Sequence, residues 1–158
     1  MSYVLVSYES KTGNTKQMAE AVSDGVKDAG VDVKLKAVED VSIDDMLNAA
    51  GIIVGTYTSY GIVAGKTKDL FDRSVKIHGK LKGKVGGAFA SSGKLGGGNE
   101  ATVLTIIQML LVHGMIVQGD SSSPHFGAVA IGKPDAPSLK GCQSLGKRVA
   151  QLVKALNL

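Results

Sequence analysis

The sequence predicts a three-layer α/β fold, a parallel sheet with helices on both faces, and three observations predict it. Short apolar runs of strand length alternate five times with segments of helical period, the pattern that builds a parallel sheet covered on both sides. The run Gly51–Thr56 is apolar without interruption at Ile52, Ile53 and Val54, as a central, doubly buried strand requires. Clusters of Gly, Ser and Thr follow the first, third and fourth strands, and in such folds the ligand sits outside the carboxyl ends of the strands.

Each element has its own signal. Tyr3–Tyr8 is a strand carried by Val4, Leu5 and Val6. From Thr15 the period becomes helical, with Met18, Val22, Val26 and Ala29 on one stripe and Gly30 closing the helix. Asp32–Val38 alternates, setting Val33, Leu35 and Ala37 against Lys34 and Lys36; outward lysines suit an edge strand. Ser42 and Asp45 open a short helix to Ala50 in capping-box form. Gly65–Ile77 is amphipathic with Leu70 and Phe71 inward, and Val85–Ser91 is a strand of small residues. Asn99–His113 is apolar all round (Val103, Leu104, Ile106, Ile107, Met109, Leu110, Leu111), which calls for deep burial or a second subunit. Met115–Gln118 and Ala128–Ile131 are strand pieces flanking a loop with Ser121–Ser123 and Pro124, and Leu139–Leu156 is the last helix.

Composition narrows the function. The 158 residues suit one domain, 1–158, and no apolar run approaches the ~20 residues that cross a bilayer. The N-terminus lacks a secretory pattern, so a cytoplasmic protein is expected. The single cysteine, Cys142, excludes an internal disulfide and reads as a packing residue, and His78, His113 and His125 have no metal-ligand spacing. The net charge is +4, but the lysines are spread along the chain. Their one concentration, Lys76, Lys80, Lys82 and Lys84, lacks stacking aromatics, so it is a solvated edge, or a dock for an acidic protein partner or an anionic substrate, and not a nucleic-acid site.

The loop Ser10-Lys11-Thr12-Gly13-Asn14-Thr15 joins a strand to a helix, and four of its six residues carry hydroxyl or amide side chains. A single N-cap needs only one of them. Open backbone N–H groups at a helix N-terminus attract anions, and Gly13 lets the backbone curl around one, so this loop is a phosphate site.

Tyr8–Thr15 resembles the phosphate loop of the flavodoxins, T/S-x-T-G-x-T in form, which holds the phosphate of FMN. The resemblance implies a flavodoxin-like fold with strand order 2-1-3-4-5 and FMN as cofactor. The second loop, Thr56–Gly65, is similar to the G-T-P-T-R-F-G-N-x-x-G segment of the WrbA-like NAD(P)H:quinone oxidoreductases, with Tyr57 for the proline and Ile62 for the asparagine. By that likeness Thr58, Ser59, Tyr60 and Gly61 contact the flavin ring, Tyr60 filling the aromatic position. The third, Ala90–Glu100, resembles that branch's S-S-T-G-x-G-G-G-Q-E with one extra residue, which implies contacts from Ser91, Ser92, Gly93, Gly96 and Gly97. His113-Gly114-Met115 matches its H-G-M, and the likeness puts His113 beside the flavin, although a histidine ending an apolar helix also serves as a C-terminal cap. The resemblance extends through Phe126–Leu156 and so covers nearly the whole chain.

Three functions follow as expectations. The chain is an FMN electron carrier serving a redox partner protein, or an NAD(P)H:quinone oxidoreductase, or an FMN-binding scaffold or sensor without turnover. The loops favour the second; the length and the lack of any tryptophan favour the first. Self-association through Asn99–His113 is also expected. Gly61-x-x-x-Gly65-Lys66-Thr67 is one residue short of a nucleotide-binding P-loop, no G-x-G-x-x-G follows the first strand, and the acidic residues of receiver domains are missing.

Overall fold

A computed structural model describes residues 2–158. Its strands are β1 (Tyr3–Glu9), β2 (Asp32–Ala37), β3 (Gly51–Ser59), β4 (Ile62–Val63), β5 (Val85–Ser92), β6 (Ile116–Val117) and β7 (Ala128–Ile131). The helices are α1 (Asn14–Asp28), α2 (Ile43–Asn48), α3 (Gly65–Arg73), α4 (Asn99–Val112) and α5 (Ala136–Ala155). The sheet runs β2-β1-β3-β5 and ends in β6 and β7, all of these strands parallel, so the expected order holds. It differs in two details. The fifth position is filled by two pieces, β6 beside the start of β5 (Val85 opposite Ile116) and β7 beside its end (Phe89 opposite Ala128). In addition, β4 folds back antiparallel on β3, pairing Thr58 with Val63 and Ser59 with Ile62. The second loop is therefore largely a hairpin.

Successive side chains of a strand point to opposite faces, and the sheet uses both. Val4, Val6 and Ile53 pack with Met18, Val22, Leu145 and Val149 under α1 and α5. Leu5, Ile52 and Val54 pack with Leu70, Ile106 and Leu110 under α3 and α4. On the first face α1 and α5 touch backbone to backbone: a Cβ on Gly25 would lie 2.0 Å from the Gln143 carbonyl oxygen, and one on Gly146 2.0 Å from that of Val22.

Several expectations are refined. The segment Gly65–Ile77 is α helix only to Arg73 and then tightens into a 3-10 turn, Ser74–Ile77. α5 begins three residues ahead of Leu139, because the Asp135 side chain caps it by accepting the Ser138 N–H at 2.9 Å, with Pro137 in the first turn. The capping box of α2 is present as expected, with Ser42 and Asp45 bonded reciprocally. Lys34 and Lys36 do more than guard the edge. Their Nζ atoms lie 3.6 and 2.7 Å from Asp45 and so fasten α2 to β2. Burial opposes the Asp45 charge, yet the bonds from Lys36 and Ser42 hold its carboxyl well below the usual range. Lys84 leaves the solvated basic group, since its Nζ donates to the carbonyls of Leu47 and Ala49 at the end of α2. Cys142 is fully buried, and burial pushes its thiol up to about 12, as suits a packing residue. Among the described residues no helix is long and apolar enough to cross a membrane.

Candidate functional site

The carboxyl ends of β1, β3 and β5 deliver the three predicted loops to one end of the sheet. In the first, the Ser10 hydroxyl oxygen accepts the N–H groups of Gly13 and Lys16, both at 3.2 Å. Gly13 is at φ 94°, in the left-handed region, and turns the chain into α1. Gly13, at the N-cap, has no side chain to cap the helix, and of the first-turn N–H groups Ser10 takes that of Lys16. The N–H groups of Asn14 and Thr15, in its first turn, have no carbonyl within the helix to bond and stand open at the positive end of the helix dipole. Beyond its two chain neighbours nothing lies within 4 Å of where a Gly13 Cβ would be, and Lys11 and Thr12 are exposed beside it. This is a cradle for an anion.

The second loop is the hairpin tip. Thr58 and Ser59 end β3, and Tyr60 and Gly61 turn back at φ 48° and 85°. A positive φ is uncommon for tyrosine, and it leaves this side chain wholly exposed. In the third loop Ser91 and Ser92 are buried at the end of β5, while Gly93, Gly96 and Gly97 are exposed. Gly98, at φ 96°, starts α4, again without a side-chain cap. Ser92 Oγ accepts from Asn99 Nδ2 and donates to the Lys94 carbonyl, both at 3.0 Å, which closes the loop on itself.

The loops are tied to one another. Thr15 Oγ1 and Ser91 Oγ share a buried bond of 2.9 Å between the first and third. Thr102 spends its proton on the Gly98 carbonyl, so Thr58 donates to Thr102, at 3.1 Å, between the second and α4. Gly61 and Gly98 touch so closely that a Cβ on Gly98 would lie 3.0 Å from the Gly61 Cα. Around this contact Tyr60, Ile62 and Leu95 expose apolar side chains. Open N–H donors at one loop and apolar surface at the other two fit a ligand with a phosphate at one end and a flat ring at the other. FMN is such a ligand, and the residues present fit it.

Sequence reasoning passed over Glu9. It is only 6% exposed, and its Oε2 accepts the Thr67 backbone N–H at 2.7 Å and the Thr67 hydroxyl at 2.8 Å. The available signal was a carboxylate ending an apolar strand, together with Ala64, which cannot cap, at the start of α3. Lys66 of the P-loop imitation pairs instead with Glu39 at 3.0 Å.

His113 requires a correction: within one chain it does not join the loops. α4 begins at the loop end and rises about 1.5 Å per residue, so its 14 residues carry His113 roughly 20 Å away, towards the opposite end of the sheet. There Ser74 donates to the Phe71 carbonyl at 2.6 Å, so the His113 Nε2–H donates to Ser74 Oγ at 2.7 Å. Nδ1 is buried without a partner. Burial, and then the neighbouring His78, push the His113 pKa below its ordinary value. A groove of about 420 Å³ opens here, lined by Phe71, Val75, Met109 and Val112 among others.

The family model described as Flavodoxin matches residues 6–131. A flavodoxin of Aquifex aeolicus is 40% identical over 162 residues, covering 97% of this chain and 88% of that protein. An NAD(P)H dehydrogenase (quinone) of Archaeoglobus fulgidus is 30% identical over 190 residues, covering 99% of this chain and all of that one. The crystal structure of a WrbA-like flavodoxin from Agrobacterium tumefaciens superposes with a TM-score of 0.84 at 28% identity, covering 98% of this chain and 99% of that one.

Proposed function

The chain belongs to the flavodoxin family, and from that premise we propose that it is an electron carrier whose FMN is anchored by its phosphate at Ser10–Thr15. The single observation that carries this reading is the pair of open N–H groups, of Asn14 and Thr15, at the start of α1, beside two cross-tied loops that expose apolar side chains. Bound FMN supplies the electron transfer itself. The chain's residues bind and orient it. The N–H groups of Asn14 and Thr15 and the hydroxyl of Thr12 receive the phosphate, and Lys11 adds a positive charge beside it. Tyr60 and the 93–97 glycine segment hold the ring between an aromatic surface and bare backbone.

The partner is then a second redox protein that approaches the exposed Tyr60 tip. Alignment length supports a carrier over an enzyme: the Aquifex flavodoxin aligns over 162 residues, whereas the Archaeoglobus quinone dehydrogenase needs 190, so it carries insertions that this chain lacks. The second reading, an NAD(P)H:quinone oxidoreductase, is favoured by the likeness of the second and third loops to the WrbA-like branch. An absorption spectrum of purified protein after FMN loading, before and after anaerobic NADPH, separates the two. The carrier keeps its flavin bands unbleached; the oxidoreductase bleaches. A second copy of the chain would cover the outer side of α4, where Leu104, Leu111 and Val112 are exposed, and light scattering at micromolar concentration tests that.

A further inference from the structure

The local sequence leaves α3 without a cap. Ala64 holds the N-cap position and has no side-chain acceptor. Thr67 is the third residue of the helix, the position whose N–H a cap usually satisfies. That N–H and the Thr67 hydroxyl both go to Glu9 Oε2, from the last residue of β1, and both bonds are buried. Ser10, the first residue of the phosphate loop, follows directly. At the other side of the junction α3 follows directly on the β3–β4 hairpin that carries Tyr60 and Gly61. The Ala64 N–H, one residue before the helix, bonds back to Thr56 Oγ1 in β3 at 3.3 Å.

We propose that Glu9 is a positioning residue that sets the distance between the phosphate loop and the Tyr60–Gly61 tip by capping α3 from the end of β1. Besides the sheet pairing of Glu9 with Thr56 and the Gly61–Gly98 contact, the other side-chain ties are neutral hydroxyl pairs, Thr15 with Ser91 and Thr58 with Thr102. Glu9 offers a carboxylate to two donors, and a charge-assisted bond is about twice as strong as a neutral one. A ligand gripping both loops depends on their spacing, because small misplacements are costly when two ends must be met at once. A ligand gripping one loop does not. The proposal rests on the FMN reading above.

The test compares ligands of different reach on the full chain carrying Glu9→Ala or Glu9→Gln. FMN spans both loops, riboflavin lacks the phosphate, and inorganic phosphate reaches only the first. In Glu9→Ala, FMN affinity falls at least about tenfold, while riboflavin and phosphate affinities each change by less than about threefold. With no flavin present, the Thr67 amide exchanges with solvent at least about tenfold faster in that variant. Glu9→Gln keeps an oxygen that accepts the same two bonds, so FMN affinity returns to within about threefold of wild type. Should Glu9→Ala not fold, Thr67→Val removes the hydroxyl bond alone and lowers FMN affinity by about threefold, with riboflavin unmoved. Equal losses for all three ligands, an unchanged FMN affinity, or no recovery in Glu9→Gln would each overturn the positioning role while leaving the FMN reading intact. A wild-type chain that binds phosphate but neither flavin would overturn both.

Discussion

The two ends of the sheet differ in how they treat polar groups. At the loop end, hydroxyls bond one another across loops (Thr15 with Ser91, Thr58 with Thr102), and the N–H groups of Asn14 and Thr15 at the start of α1 are left open. At the other end polar atoms turn inward: Lys84 holds the carbonyls of Leu47 and Ala49, Ser74 holds that of Phe71, and His113 leans on Ser74. Grooves of similar volume open at both ends, about 420 Å³ beside His113 and about 400 Å³ beside Leu95 and Gly98. Volume therefore does not separate the two ends, whereas the open N–H groups of Asn14 and Thr15 give the loop end donors that an anion can use. Open donors at a helix start, and not groove volume, are what point to the loop end as the ligand site.

Gly98→Ala should break the loop end most severely. Gly98 sits at φ 96°, and a Cβ there would meet backbone of Gly61, which cannot step aside as a side-chain tip could. FMN affinity falls about a hundredfold, read by flavin fluorescence on titration with apoprotein, and inorganic phosphate still shifts the amides of Ser10–Thr15. An unchanged FMN affinity would mean that the ring lies elsewhere.

Ser74→Ala sharpens the contrast from the opposite side. It leaves the His113 Nε2–H buried without an acceptor, beside an Nδ1 that already lacks a partner. Stability measured by urea unfolding falls by about 1–3 kcal/mol, and FMN affinity stays within about threefold. A large loss of FMN binding would join the two ends that the fold keeps apart.

The pH dependence of stability is the smaller effect. His113 is held neutral by burial and by His78, so its folded pKa lies below the ordinary 6.5. Above that pH neither the folded nor the unfolded form carries the proton, and the stabilisation is complete. As pH falls below 6.5, the unfolded chain takes up a proton that the folded chain refuses, and stability drops by up to about 1.4 kcal/mol per pH unit until the folded pKa is passed. Urea midpoints between pH 5 and 8 should show this slope in wild type and a shallower one in His113→Gln. Identical slopes would show that His113 does not titrate differently on folding.

Much of the loop end was legible in the sequence, because its signals are local. Ser10–Thr15 and Gly93–Gly98 are dense in residues that bond backbone or free it, and the apolar run at Ile52–Val54 marks the central strand without help. The capping of α5 was legible too, since Asp135 stands three residues before Ser138; the helical period alone set its start at Leu139 and so missed it. What escaped depends on chain segments far apart in sequence. The Glu9–Thr67 bonds join residues 58 positions apart, and Lys84 reaches Leu47 across 37. His113 was assigned by likeness to a motif, and only the length and direction of α4 show at which end of the sheet it lies.

The most direct test of the central claim is an amide NMR titration of the apoprotein with FMN. Shifts confined to Lys11–Thr15, Thr58–Gly61 and Ser91–Gly98 are the predicted result. Shifts centred on Phe71, Ser74 and His113, with Lys11–Thr15 unmoved, would contradict it.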